Sequence, residues 1–351
     1  MKDAVNGEVT LKMVGEACGC SATTVSQALR GTGKVSALRR NTIIDVAQRM
    51  GYHRNASAAV LRGHRRVNED GHGMPVVFIE RKEAVPYLTH KIIQAIGEHA
   101  HRMGYKLEQR RYADTAELIA LLRELTYRRV DVILLGNIEG DVWAEGVDWS
   151  PFVVLGIWRF GYSYPFHAIR YNYFQALRQL FARSYELGYK RIGLVCLLHE
   201  PVILDDASRQ AAVDEANRLY KDRAHILPPL YYQSYLGAER LAEWLKANNP
   251  DMIIGFNSGV YNAMKSLGKR IPEDYAYCSL LDTAENQAAI RSTGFLVEHD
   301  KIGGLVVTLI DAFLRQNRRG MLEFVTETLM TMKFLQGETM PAKTGCPMAE
   351  T

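Results

Sequence analysis

The sequence predicts an all-α helix-turn-helix head followed by an α/β core of doubly wound parallel sheets. Two short amphipathic segments flank a glycine near the N-terminus, which is typical of a helix-turn-helix. From residue 75 onward, apolar runs alternate with helical patterns, the order that produces parallel sheets. Residues 1–66 carry 11 basic and 4 acidic side chains, whereas the rest of the 351-residue chain has a net charge of −3. A basic head on a slightly acidic body indicates a nucleic-acid-binding domain attached to a second module.

The composition restricts the class of protein. Hydrophobic residues make up 47% of the chain and charged residues 23%, a globular balance that argues against disorder or a fibrous protein. No apolar run approaches the roughly 20 residues of a membrane span, and the first residues lack the apolar region of an export signal. Five scattered cysteines do not form a disulfide framework. We therefore expect a cytoplasmic protein with no membrane partner.

The head begins with a short helix over residues 11–18, where apolar side chains recur at helical spacing. Gly19 then supplies a tight turn, since a residue without a Cβ adopts positive φ freely. Ser21 caps a second helix from Ala22 to Leu29. A third helix from Ser36 to about Met50 packs on the first two. In such a motif the N-terminal end of the second helix enters the major groove of DNA.

Cys18 and Cys20 flank the turn glycine, but we expect buried thiols there. Both occupy positions that a helix-turn-helix fills with small apolar residues, and no second cysteine pair follows at metal-binding spacing. His90, His99 and His101 fall in one predicted helix, where solvated histidines are the better interpretation. The sequence therefore predicts no metal site and no cofactor.

Several motifs follow one another along the first sixty-odd residues. They are Val9 to Leu29, Lys34-Val35-Ser36, Gly51-Tyr52, Asn55 and Ala58 with Leu61-Arg62-Gly63. Together they resemble, without a gap over residues 9–63, the N-terminus of the lactose/galactose-repressor (LacI/GalR) family. The resemblance implies a sequence-specific transcriptional regulator, a repressor that binds a palindromic double-stranded DNA operator as a homodimer. It also implies a helix-turn-helix domain over residues 1–54 and a hinge helix with linker over residues 55–74.

The same resemblance implies roles for single residues. Positions that read base edges hold Ala22, Thr23 and Gln27. Positions that meet the DNA backbone hold Thr10, Ser21, Thr24, Ser26 and Asn55. Ala58 and Leu61 match hinge-helix residues that enter the minor groove, where an apolar wedge kinks a base step. Without the flanking match, Leu61 would be interpreted as a core residue of a short linker helix.

Three departures from the family pattern carry expectations of their own. Gln27 stands where the family has Arg. Because Arg pairs with guanine and Gln with adenine in the major groove, we expect this protein to prefer A·T at the base pair where relatives prefer G·C. Gly15 replaces the usual Ala and should weaken the first helix by up to about 1 kcal/mol. Arg54 replaces the hinge proline and is either a phosphate contact or a solvated side chain.

The body reads as alternating strands and helices. Predicted strands are 76–79, 130–135, 153–155, 191–196, 252–256 and 277–281. Predicted helices are 88–103, 116–127, 172–187, 208–220, 237–248 and 262–267. About 270 residues suffice for two parallel-sheet subdomains, and ligands of such sheets bind outside the carboxyl ends of the strands.

A looser resemblance to the same family covers residues 75–340, through Leu187-Gly188-Tyr189, Asn257, Leu267-Gly268, Ile271-Pro272, Asp282 and Ile302-Gly303. It implies a periplasmic-binding-protein-like core for effector binding and dimerisation. The core would have two lobes, three crossovers near residues 168, 292 and 325, and a cleft between the lobes. Lobe 1 would comprise about 75–167 and 293–324, and lobe 2 about 168–291 and 326–340, with a tail over 341–351.

The resemblance places a small polar effector, a carbohydrate or derivative, in that cleft. Its candidate contacts are Arg209, Asn257, Asp282, Trp158 and Tyr231. For the polar three, the alternative is a helix cap or loop hydrogen bond, and for the aromatic two it is packing. Tyr171 and Ser258 stand where the family has acidic residues, which puts a familiar sugar in doubt.

Two other functions compete with regulation. A solute-binding protein of the transport type shares the core fold, but the missing export signal and the fused head argue against it. An α/β enzyme is disfavoured because the chain shows no nucleophile elbow, no HExxH, no phosphate loop and no glycine fingerprint. We therefore expect no enzymatic activity.

Overall fold

The computed structural model describes residues 9–29, 35–50, 73–82, 86–136, 146–157, 165–200 and 202–343. The chain divides into two compact units, one of residues 1–62 with 313–318 and one of residues 63–312 with 319–351. The first contains the helical head and the second contains both lobes of the core. Among the described residues, no helix has both the length and the apolar character that crossing a bilayer requires.

The head contains three helices, α1 (Leu11–Ala17), α2 (Ala22–Leu29) and α3 (Ala37–Arg49). Each starts at a hydroxyl cap; the caps at Ser21 and Ser36 were predicted, and the cap at Thr10 was not. The caps are Thr10, whose Oγ1 accepts from the Met13 amide, Ser21, whose Oγ accepts from the Thr24 amide at 3.1 Å, and Ser36, whose Oγ accepts from the Arg39 amide. The core of the head consists of Val14, Val25, Ala28, Ile43 and Ala47. The predicted three-helix head is confirmed.

The core begins with β1 (Met74–Arg81), α4 (Pro86–Arg102), β2 (Tyr105–Tyr112), α5 (Thr115–Tyr127), β3 (Val132–Leu135), β4 (Val153–Ile157) and β5 (His167–Tyr171). It continues with α6 (Tyr173–Glu186), β6 (Arg191–Leu197), α7 (Leu204–Tyr220), β7 (His225–Ile226), β8 (Leu230–Tyr232), α8 (Ala238–Asn248) and β9 (Met252–Gly255). The last elements are α9 (Ser258–Ser266), β10 (Ala276–Asp282), α10 (Ala284–Ile290), β11 (Thr293–Leu296), α11 (His299–Arg315), β12 (Glu327–Met330) and β13 (Lys333–Leu335).

These strands form two sheets, one in each lobe. The lobe 1 sheet has the order β12-β5-β4-β3-β1-β2, and every neighbouring pair in it is parallel. The lobe 2 sheet has the order β13-β11-β10-β9-β6-β7, with β8 also paired to β6. Only the pairing of β13 with β11 is antiparallel among these described strands. The predicted architecture of two doubly wound lobes is confirmed.

Continuous apolar runs explain the central strands. All four residues of β3 and of β9 are buried, as expected for strands covered by helices on both faces. The helices bury one stripe each: in α5 the stripe is Leu118, Leu121, Leu122 and Leu125, at helical spacing. Each lobe thereby has its own hydrophobic core around its sheet.

The three crossovers between the lobes lie a few residues later than predicted, so the predicted lobe boundaries need correction. β5 pairs within the lobe 1 sheet, and the first crossover is therefore at Asn172 rather than near 168. β11 pairs with β10 in lobe 2, which moves the second to Val297–Glu298. β12 pairs with β5 in lobe 1, which moves the third to residues 331–332. In each case the strand completes its pairing before the chain leaves the sheet.

The end of the chain needs a second correction. Residues 341–343, assigned to a tail, are bound to lobe 2. The Tyr189 hydroxyl donates to the carbonyl of Pro341 at 2.5 Å, and the Lys343 amide donates to the carbonyl of Leu187 at 2.9 Å. Lys343 Nζ also lies 2.5 Å from the carboxylate of Asp251. Lobe 2 therefore extends at least to Lys343.

Candidate DNA-binding face and interlobe cleft

Helix α2 presents the predicted base-reading residues on the outside of the head. Ala22 and Thr23 are exposed and Gln27 is partly exposed, whereas Val25 and Ala28 point into the core. The two faces follow from helical spacing, since residues three and four apart share a side of the helix. The structure therefore leaves all three candidates accessible on the outside of α2.

The turn before α2 depends on two glycines. Gly19 adopts φ of +60°, which glycine accepts without strain. Gly15 lies where the turn closes on α1: the Cys20 amide donates to the Gly15 carbonyl at 2.8 Å, and a Cβ on Gly15 would lie 2.6 Å from the Cys20 carbonyl oxygen. Gly15 was predicted only to weaken α1; the structure adds that its missing Cβ makes room for the turn.

The candidates for the DNA backbone divide into caps and a less exposed residue. Thr10 and Ser21 are exposed and cap α1 and α2, and the Thr24 Oγ1 lies 2.9 Å from the Ser21 Oγ. The N-terminus of α2 therefore presents backbone amides together with two hydroxyls. Such a group of hydrogen-bond donors can bind a phosphate. Ser26 is partly buried.

Some sequence-based candidates lie outside the described residues. They are Asn55, Ala58 and Leu61 of the hinge, and Trp158 of the cleft. Cys18 and Cys20 are partly buried and pack against the core of the head, in agreement with the interpretation as packing thiols. No cluster of three or more His, Cys, Asp or Glu side chains with metal-binding geometry is found in the described part of the chain.

Arg209, the main effector candidate, lies in α7 at the carboxyl edge of the lobe 2 sheet. Its side chain is almost fully buried, with 2% exposed. Its Nη2 donates to the Leu197 carbonyl at 3.0 Å and to the Asp206 carboxylate. Its guanidinium carbon lies 5.0 Å from the ring centroid of Tyr173 and 5.2 Å from that of Phe256. A guanidinium paired with a carboxylate and held by two rings is fixed in position.

Asp206 organises this corner of the cleft. It accepts hydrogen bonds from the amides of His199 at 3.1 Å and Ile203 at 3.0 Å, and it contacts His199 Nδ1 at 3.0 Å. Burial pushes the pKa of Asp206 upward, but the hydrogen bonds from His199 and Ile203 and the charge of Arg209 outweigh it, so the pKa falls below its usual value. Asp206 therefore stays ionised and orients both Arg209 and His199.

The other polar candidates serve local structure in this state. Asn257 Oδ1 accepts from the Gly259 amide at 2.9 Å and caps α9. Asp282 is buried at the end of β10, where it accepts from the Thr283 amide at 3.0 Å and from the Ser292 hydroxyl. Burial raises the pKa of Asp282. Both side chains match the helix-cap and loop alternatives weighed above.

Tyr231, the aromatic candidate in β8, is only partly buried. Burial raises the pKa of its hydroxyl to about 12, with a smaller contribution from Cys196. The phenol is therefore neutral at any physiological pH and acts as a hydrogen-bonding or stacking group.

Two ion pairs connect residues of the two lobes. Arg170 in β5 is buried, and its Nη1 donates to Asp205 in α7 at 3.1 Å. Lys91 in α4 lies 2.6 Å from Glu285 in α10. Both charges also act on His299 at the start of α11, whose pKa burial lowers: Lys91 lowers it further and Glu285 raises it. The carboxyl edges of the two sheets therefore face each other across a cleft lined by charged side chains.

Residues 10–55 match the family model described as bacterial regulatory proteins of the lacI family. The head of the chain is therefore similar to the heads of lacI-family regulators. Among solved structures the chain is similar to a lac repressor dimer bound to operator and the anti-inducer ONPF, with 17% identity over 95% of this chain and 100% of the other, at a TM-score of 0.59. A comparison with curated protein sequences gives no match.

Two further solved structures share the fold of this chain. The first is a transcriptional regulator CelR–cellobiose complex, with 17% identity over 95% of this chain and 100% of the other, at a TM-score of 0.57. The second is a LacI family transcriptional regulator from Enterococcus faecium with bound ribose, with 16% identity over 77% of this chain and 100% of the other, at a TM-score of 0.57. At these identities the comparisons establish a shared architecture.

Sequence reasoning missed several polar residues of the cleft between the lobes. Arg170, Asp205, Asp206 and His199 were not candidates, yet the structure brings them together near Arg209. One signal was available: two acidic residues in the first turn of a helix, three and four positions before an arginine on the same face. Arg170 had no such signal, because its partner lies 35 residues away.

A cavity of about 280 Å³ lies beside the crossovers of the core. Its lining is mostly apolar, with Glu298 and Lys301 paired at 2.8 Å. The other lining residues are Tyr171, Leu296, Ile302, Leu305, Leu329, Met330, Thr331 and Met332. None of these is an effector candidate, but Tyr171 packs edge-on against Tyr173 with the ring centroids 5.9 Å apart, and Tyr173 in turn lies against Arg209.

Proposed function

We propose that this chain is a sequence-specific transcriptional regulator, a repressor that binds a palindromic double-stranded operator as a homodimer. The observation that carries the proposal is the exposed face of α2, with Ala22, Thr23 and Gln27, on a three-helix head that matches the LacI family model. A two-fold dimer presents two such helices, so its operator has two related half-sites. Since DNA is the partner, we infer that the protein works in the cytoplasm.

The cleft supports control by a small polar effector, a carbohydrate or derivative. The similar structures include a complex with cellobiose and one with bound ribose, and this chain has the same two-lobe architecture. In our proposal an effector in the cleft biases the relative position of the lobes and thereby the order of the hinge and the affinity of the head for DNA. Such control is a coupling free energy between two sites.

The proposal assigns the protein a binding role and no catalytic step. Thr10, Ser21, Thr24, Ser26 and Asn55 contact the DNA backbone, and Ala58 with Leu61 enter the minor groove. Arg209, with Asn257, Asp282, Tyr231 and Trp158 as further candidates, contacts the effector. The same core fold serves solute-binding proteins, but a helix-turn-helix head has no use in transport.

A gel-shift assay on DNA from upstream of the protein's own gene tests the proposal. The full chain should form a discrete complex that competitor DNA of unrelated sequence does not remove. Gln27→Ala should weaken that complex, since it removes a base-reading amide. Gln179→Ala, an exposed position on α6, is the matched control and should bind like the parent. Failure to bind any palindromic fragment would contradict the proposal.

A further inference from the structure

Arg170 and Asp205 form the inner of the two interlobe pairs, and both are buried. Their side chains are 9% and 6% exposed, and the Nη1 to Oδ1 distance is 3.1 Å. Arg170 Nη1 also lies 3.4 Å from the Ser208 hydroxyl. Replacing one partner by a neutral residue would leave the other charge buried and uncompensated, which is unfavourable. The inner pair is therefore a charge-assisted contact that exists only in the arrangement in which the two lobes touch.

Arg170 is also fixed within its own lobe. Its Nε and Nη2 both donate to Glu327 Oε2 in the neighbouring strand β12, at 3.1 and 2.9 Å. Asp205 belongs to lobe 2, in the first turn of α7. Because neither partner follows the other when the lobes separate, any opening of the cleft at this point breaks the inner pair.

Lys91 and Glu285 form the outer interlobe pair, from α4 in lobe 1 and the first turn of α10 in lobe 2. The hydrogen bond from Lys91 and a backbone amide lower the pKa of Glu285 to about 2, so this carboxylate is charged at every working pH. Burial, followed by the charge of Lys91, lowers the pKa of His299 and favours its neutral form. This exposed pair is weak alone, but it acts in the same direction as the inner pair.

We propose that the inner and outer pairs form a latch that holds the cleft closed when no effector is bound. An effector that enters the cleft must then separate Arg170 from Asp205 or offer groups that replace their contact. A ligand shifts the equilibrium between the closed and the open cleft only by the difference in its affinity for the two states. The stability of the latch therefore sets how large that difference must be for the effector to open the cleft. This inference rests on the proposed function for the role of the effector, whereas the latch itself is a property of the DNA-free chain.

Two isosteric substitutions, each at a carboxylate that binds Arg170, distinguish the latch from a merely structural role of the pair. Asp205→Asn removes the interlobe carboxylate, and Glu327→Gln removes the carboxylate within lobe 1. Small-angle scattering of the full chain without DNA or effector should give a larger radius of gyration for Asp205→Asn. Amides of residues 202–209 should also exchange hydrogen faster in that variant. Glu327→Gln should match the parent in both measurements. Equal behaviour of the two variants would overturn the latch.

The outer pair provides a test at an exposed site, where substitutions leave the core untouched. In the Asp205→Asn background, where the inner pair is lost, Lys91→Glu and Glu285→Lys each place like charges across the cleft and should enlarge the molecule further. Both changes together restore opposite charges and should return the radius to that of Asp205→Asn alone. Single changes without any further enlargement, or a combined variant as open as either, would contradict the latch. These readouts need no operator, so a failed gel shift refutes the proposed function without affecting the latch.

Discussion

At the scale of single residues, our proposal assigns the specificity of the protein to a few side chains. Gln27 is the clearest, since the sequence predicted its position and the structure places it partly exposed on α2. Arg209 differs, because the sequence predicted an effector contact and the structure shows a guanidinium fixed by Asp206, Leu197 and two rings. Residue type and motif thus gave candidate side chains, whereas the contacts of those side chains emerged only from the fold.

Gln27→Arg should change the base that the protein prefers. Gln pairs with adenine and Arg with guanine in the major groove, and each good bidentate contact contributes about 1–3 kcal/mol of discrimination. Fluorescence anisotropy with two operators that differ only at this base pair measures the change. The parent should prefer A·T and the variant G·C. A parent that prefers G·C would show that Gln27 does not read this position.

Asp206→Asn should destabilise lobe 2, because it leaves the buried Arg209 without its charged partner. Loss of one partner from a buried pair costs about 3–5 kcal/mol, and both side chains are almost wholly buried. Thermal unfolding of the full chain measures the effect as a lower midpoint. Asp214→Asn, on the exposed side of the same helix, is the control and should leave the midpoint nearly unchanged. Equal midpoints for the two variants would exclude an anchoring role for Asp206.

At the scale of elements, a continuous apolar run decided which strands the sequence could predict; β5 is fully buried, but its run contains His167 and Arg170 and was missed. The central strands were predicted because their runs are continuously apolar. Strand β2 was missed: it lies at the sheet edge, and most of its side chains are polar and partly exposed. Strand β12 is also an edge strand, with exposed Glu327 and Leu329. Since edge strands bury little, their sequences carry a weak periodic signal.

The turn of the head provides a prediction at this scale, in which two glycine substitutions shift the thermal midpoint in opposite directions. Gly15→Ala gains up to about 1 kcal/mol of helix propensity, but its Cβ would lie 2.6 Å from the backbone oxygen of Cys20. We expect this contact to dominate and to lower the thermal midpoint of the head. Gly97→Ala in α4 meets only the Leu107 side chain at 3.7 Å, so it should raise the midpoint of the core. Stabilisation by Gly15→Ala would refute the close-packed turn.

At the scale of the whole molecule, the sequence predicted a helix-turn-helix head, two parallel-sheet lobes and three crossovers, and the structure confirms that plan. The positions of the crossovers were wrong by a few residues, because β5 and β11 are short and their pairing depends on strands distant in the chain. The interlobe contacts were beyond prediction for the same reason. Lys91 and Glu285 meet only after both lobes have folded.

Selection of binding sites from random double-stranded DNA by the full chain tests the central claim most directly. The account predicts enrichment of a palindromic sequence whose two half-sites are related by the symmetry of the dimer, with A·T at the position read by Gln27. Gln27→Ala should lose the preference at that position while retaining the remainder of the site. A library that stays random after selection, with only salt-sensitive binding to any DNA, would contradict the assignment as a sequence-specific regulator.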